Sequence, residues 1–242
     1  MNLVPRFPPL LTSYATGPAN PFTVACDRAR RGVDAGLLAW SIGSERLRAA
    51  VVLAPETPLG QAMAGYVACA VGFQNALGAT APAETAVHLD WSGGLRLNGG
   101  YFGRIHAYAS TLDPKSIPDW LVVGLDVTLE LGPDFEPGQT PDWTSLYHEG
   151  CGEVDPVDLL EAWARHSLVW LHDIETAQAR ANLHREYQGL LWKLHDETVL
   201  RLPGEVVTGK FLGVDEDFGC LVKPETGETR LLPLYRILEE AP

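Results

Sequence analysis

Apolar positions along the chain change period several times, and each change marks an element. Leu59, Met63, Tyr66, Ala70, Phe73 and Leu77 recur at steps of three and four, which places them on one face of a helix. Thr57-Pro58 ahead of them reads as an N-cap with proline in the first helical position, and Gly78 as the stop. A second helix opens at Asp155-Pro156, with Leu159, Leu160, Trp163, Leu168 and Leu171 on its buried side, and more helix follows through Tyr187 and Leu191. An earlier one is predicted over Phe22–Arg31, ended by Gly32. Elsewhere the period falls to two. Leu125, Val127, Leu129 and Leu131 alternate with Asp126, Thr128 and Glu130 in a long strand from Trp120. Leu37–Ile42 and Arg48–Ala54 read as strands joined by a short turn, and Asn98-Gly99 between apolar runs marks a hairpin. After Gly204 only short strands remain: Glu205–Val214, Gly219–Lys223 and Thr229–Leu234. A unit of ~40 residues is too small to be stable without docking on the rest. The expected fold class is α+β: a mixed, mostly antiparallel sheet with helices on one face, plus a β appendage.

Composition changes this picture little, but charge narrows it. The 242 residues are 46% hydrophobic and 20% charged, enough to bury a full core in one large domain. A net charge of −13 repels a phosphate backbone, so no nucleic-acid partner is expected. No stretch reaches the ~20 apolar residues of a membrane span. The start, MNLVPRFPPLLTS, lacks the basic-then-apolar pattern of a signal peptide. Cys26, Cys69, Cys151 and Cys220 form no CxxC pair, as for free thiols in a reducing cytoplasm, and a cytoplasmic location is expected. Lysine is scarce: the 18 basic residues include only Lys115, Lys193, Lys210 and Lys223. Arginine replaces lysine as a charge but not as a group that deprotonates.

The segment Val87–Ile105, VHLDWSGGLRLNGGYFGRI, is the most telling. Its strand, Ser-Gly-Gly turn and Asn-Gly hairpin resemble the central segment of the biotin/lipoate protein ligase family, in which a Lys-Trp-Pro-Asn-Asp run leads through a turn to a catalytic lysine. Thr144-Ser145-Leu146, Arg185-Glu186-Tyr187 and the C-terminal VVTGKFLGVDEDFGCLVKPETGETRLLPL are similar to the family's Ala-Thr-Ser-Leu, its closing helix and its C-terminal SH3-like domain. These similarities keep the family's order across nearly the whole chain. The resemblance implies a class II synthetase/biotin-ligase-like domain over residues 1–200 and a small SH3-like β-barrel over 201–242. It also implies ATP and biotin or lipoate. The acyl carboxylate attacks ATP, and the acyl group passes from the adenylate to a lysine of a biotinyl or lipoyl carrier domain. That chemistry needs positive charge where phosphate charge develops and a loop that closes over the adenylate.

The chain departs from the pattern at those points. Asp90 stands at the first lysine, Ser92-Gly93-Gly94 replace Pro-Asn-Asp, and Gly100 or Tyr101 takes the catalytic position. The family's Gly/Arg-rich loop shrinks to Gly43-Ser44-Glu45-Arg46-Leu47. No catalytic residue and no metal site are assigned. The substrate-binding candidates are Trp91, Gly103, Arg104 and Arg46. Trp91 lines a groove or fills the core. Gly103 is a strand glycine of the kind that admits close approach. Arg104 partners a carboxylate or phosphate, or forms a surface ion pair. Arg46, with Arg48, is a remnant of the anion loop or an exposed turn residue. His88 and His106 read as structural histidines, lacking metal-ligand spacing. Cys151, near His148 and Glu149, lacks the surroundings of a transfer thiol. The expected function is a ligase-like protein that binds a biotin- or lipoate-like acyl ligand, with weak or altered activity. The alternative is a non-catalytic small-molecule sensor or partner-docking protein. A homodimer is left open.

Overall fold

The computed structural model describes residues 4–33, 35–132, 135, 140–172 and 174–239. Strands β1 (Thr12–Ala15), β2 (Leu37–Ile42), β3 (Arg46–Leu53), β4 (Val87–Leu89), β5 (Gly94–Leu97), β6 (Gly100–Ala109) and β7 (Leu121–Thr128) form one sheet in the order β1-β2-β3-β7-β6-β5-β4. Neighbours run antiparallel, except that β1 lies parallel to β2. The helices are α1 (Pro21–Arg30), α2 (Leu59–Ala62), α3 (Ala64–Thr80), α4 (Pro156–His172) and α5 (Ala177–Leu190). This is the expected α+β class.

Side-chain alternation sorts the sheet into two faces. On β3, Leu47, Ala49 and Val51 join the main core with α3 and α4, whereas Ala50 and Val52 join Phe22, Ala25 and Cys26 of α1. Helices therefore pack on both faces rather than one. The helix predicted from Thr57 is divided at Met63 into α2 and α3, and Pro58, not Thr57, holds the N-cap position. Nor is α3 two-sided. Val67, Ala68, Cys69 and Val71 are buried along with the predicted Tyr66, Ala70 and Phe73, because α4 and α5 pack on the helix as well as the sheet. Trp163 of α4 locks that contact, donating its indole N–H to the Cys69 carbonyl at 3.0 Å. The cap of α4 is as predicted: an Asp155 carboxylate oxygen accepts from the Val157 N–H at 2.7 Å.

A second, four-stranded antiparallel sheet runs β11-β10-β9-β8, from β8 (Glu197–Leu202), β9 (Glu205–Val214), β10 (Cys220–Lys223) and β11 (Arg230–Leu232). The sequence reading missed β8. Only Leu200 and Leu202 of that strand are buried, so it becomes a strand through pairing with β9. The turn after β9 holds the second sheet onto the first. Phe218 is fully buried with φ of 64°, a left-handed conformation that costs a bulky residue about 1–3 kcal/mol. Its carbonyl accepts from the Trp91 indole N–H at 2.8 Å, and its ring meets Tyr187 and His184 of α5. All four cysteines are buried free thiols, and burial pushes Cys26, Cys69 and Cys220 up to about 12. No helix among the described residues is long and apolar enough to cross a membrane.

Candidate ligand-binding face

Strand register lays a polar row across the α1 side of the sheet. Ser41 pairs with Arg48, Arg48 with Asp126, Asp126 with Arg104, and Arg104 with Gly94. Arg46 lies two residues before Arg48, opposite Thr128, and so on the same face. Asp126 is shared: it accepts from Arg46 Nη1 at 2.9 Å and from Arg48 Nε at 3.1 Å. Arg104 has a different carboxylate. Its Nη2 donates to Glu239 Oε1, while Glu239 Oε2 lies 3.2 Å from His106 Nδ1.

Glu239 reaches this row because β5 covers β6 only as far as Arg104. Beyond, the Ile105 N–H bonds the Gly93 carbonyl, and the Ala107 carbonyl accepts from the Glu239 N–H at 3.0 Å. Partial burial raises the Glu239 carboxyl, but the hydrogen bond and charge of His106, with the charge of Arg104, outweigh it and hold the group below the usual range. The first turn of α1 adjoins the row, with the Phe22 ring stacked on His106 at 4.0 Å. That turn holds no acidic residue. The positive end of a helix and guanidinium groups 40% to 48% exposed suit a carboxylate or phosphate.

Of the candidates, Arg46 and Arg104 are brought together on this face, and Trp91 and Gly103 are not. Trp91 is 1% exposed, bonded to Phe218, and borders a small cavity of about 240 Å³ with Asp90, Arg96 and Phe211. At Gly103 a Cβ would strike the Asp126 carbonyl and Val127 Cα of β7, so the close approach is by the next strand. Gly103→Ala is expected to cost about 1–3 kcal/mol, read as a lower urea midpoint. No loss would show that β7 yields there.

The expected hairpin turn is present, with Asn98 at φ 50° and Gly99 at φ 93°. The 142–144 segment runs beside it: Tyr101 bonds Asp142 and Thr144 through the backbone, and Glu149 accepts from both Asn98 and Thr144 side chains. Asp90, which the sequence resemblance set against a lysine, is engaged by Arg96 at 2.8 Å. The β2–β3 connection is a tight hairpin closed by the Gly43 N–H on the Arg46 carbonyl at 2.9 Å and pinned by the Leu129 N–H on Glu45. His148 bonds Ser145 at 2.8 Å rather than Cys151.

A larger cavity of about 890 Å³ lies elsewhere, walled by Leu38, Val51, Leu53, Trp163, Leu168 and Leu171. Val51 is three residues from Arg48 on β3, hence on the opposite face. The volume suits a small molecule, but Arg180 at its rim is bound to Asp217 at 2.7 Å, and Glu56 and Glu175 add negative charge there. An anion is better served by the arginine row. Sequence reasoning missed Asp126 and Glu239 as parts of that row. Asp126 was visible as a polar position in an apolar strand, whereas Glu239 is 135 positions from Arg104, with no local signal.

Fold and face together define a biotin-ligase-like protein with an arginine-bearing sheet face. The model of the biotin/lipoate A/B protein ligase family matches residues 7–189, and the chain belongs to that family. A domain of unknown function (DUF4444) matches residues 205–240. No curated protein matches. Among solved structures, a biotin protein ligase-like protein of unknown function from Silicibacter sp. TM1040 is 50% identical, with 98% of this chain and 100% of that one covered, at a TM-score of 0.89. The biotin protein ligase from Aquifex aeolicus in complex with biotin and ATP is 16% identical, covering 92% and 95% at a TM-score of 0.65. The Leishmania major enzyme with biotin is 18% identical, covering 93% and 98% at 0.53. At these low identities the likeness is one of fold.

Proposed function

We propose that the protein binds a biotin- or lipoate-like acyl acid on the arginine-bearing face, and that its transfer of the acyl group to a carrier-domain lysine is weak or altered. The observation that carries this reading is the cross-strand row Arg48–Asp126–Arg104 with Arg46 beside it. It offers charge for a carboxylate head on a family fold that holds acyl ligands. The chemistry departs from ligation for two reasons. Lysine is absent from β2, β3, β6 and β7, and the planar, forked guanidinium of arginine does not reproduce the compact point charge of an ammonium. The hairpin of Gly43, Ser44 and Glu45 is also too short to close over a nucleotide and exclude water. The row therefore fits a carboxylate but supplies no cradle for a triphosphate.

ATP–pyrophosphate exchange and calorimetry with biotin, lipoate and octanoate test the reading. The expected result is binding of at least one acid, with exchange slow or absent. Fast exchange would overturn the altered-chemistry half, and no binding of any acid would overturn the ligand half.

A further inference from the structure

We propose that Arg104 and His106 form a carboxylate subsite which the chain's own Glu239 fills in the unliganded protein, so that an incoming carboxylate must displace the C-terminal tail. For the identity of the natural ligand this deepens the acyl-acid reading, but the tail contact stands on its own geometry.

Three observations carry it. First, Asp126 accepts from both Arg46 and Arg48, which leaves Arg104 as the row's guanidinium that turns elsewhere, and it turns to Glu239. Second, the Glu239 carboxylate uses its two oxygens on two side chains of one strand face, Arg104 and His106, as a bound acid would. Phe22 stacked on His106 at 4.0 Å holds the imidazole in place. Third, the hold on Glu239 is local. Leu234 and Leu238 are buried, whereas Glu239 is held, among the described residues, by a backbone hydrogen bond to Ala107 and by the two side-chain contacts. A contact so local can be exchanged for an external carboxylate without unfolding the Leu238 anchor.

The tail is also the end of the second sheet's connection: β11 leads through Leu234–Ile237 to Glu239.

Amide hydrogen exchange of the C-terminal peptide in the full chain tests this. In wild type the Glu239 amide is expected to be protected in sodium chloride and to exchange about tenfold faster in sodium acetate of equal ionic strength, since a charge-assisted hydrogen bond is worth roughly that factor. In Glu239→Gln the fast exchange is expected in both salts. Arg104→Ala is expected to behave like Glu239→Gln. Acetate no more effective than chloride on wild type, or a Glu239→Gln tail as protected as wild type, overturns the proposal. Acetate that releases the tail while biotin, lipoate and octanoate all fail to bind supports the subsite and removes the acyl-ligand reading alone.

Discussion

Trp91→Ala is expected to destabilise the protein by about 3–5 kcal/mol, the usual cost of truncating a buried tryptophan. The side chain is 1% exposed within the main core. Its removal also strands the Phe218 carbonyl, which has the indole N–H as its partner at 2.8 Å. Phe218 is the residue whose left-handed backbone is tolerated because its ring packs on His184 and Tyr187 of α5 while its carbonyl is held by Trp91. The expected signature is therefore more than a lowered melting temperature. Exchange protection of β9 and β10 should fall before that of β3 and β7, because the second sheet depends on this contact. Trp91→Phe keeps most of the volume and loses the hydrogen bond, so about 1–3 kcal/mol is expected. A Trp91→Ala variant of wild-type stability that merely loses affinity for an acid would instead place Trp91 in a ligand groove.

Arg104→Ala is expected to lower affinity for a carboxylate ligand about 10- to 100-fold, the loss of a charge-assisted hydrogen bond of roughly 1.5–3 kcal/mol. The fold should be little affected, since the side chain is 48% exposed and exposed ion pairs contribute little. Arg104→Lys retains the charge but not the planar fork, and intermediate affinity is expected. Calorimetry with the acid that binds wild type is the measurement. Unchanged affinity in Arg104→Ala would move the ligand head to Arg46 and Arg48, where Asp126 already competes. The same two variants in the pyrophosphate exchange reaction show whether Arg104 has any share in turnover.

Much of this is legible in the sequence. The Asn98-Gly99 turn, the Asp155-Pro156 cap and the strands around Leu37 and Leu125 follow from local steric and hydrogen-bonding rules, and the structure has them. The role of Trp91 was open because an apolar aromatic after a strand looks the same whether it lines a groove or a domain contact. Its partner, Phe218, is 127 positions away. The glycine at 103 was equally ambiguous, since close approach by a ligand and by β7 leave one signature. The missed strand β8 has a weak pattern because half its surface stays exposed.

By itself the sequence determined the family, the α+β class and the absence of lysine from the strands that build the sheet face. These rest on local periodicity, turn chemistry and motif order, which a linear reading contains. The tertiary structure alone decided that Arg46, Arg48 and Arg104 stand abreast, because strand register, not spacing, sets which residues face each other across β3, β7 and β6. It alone brought Glu239 to Arg104, because the open edge of β6 beyond Arg104 leaves the Ala107 carbonyl free for the returning tail.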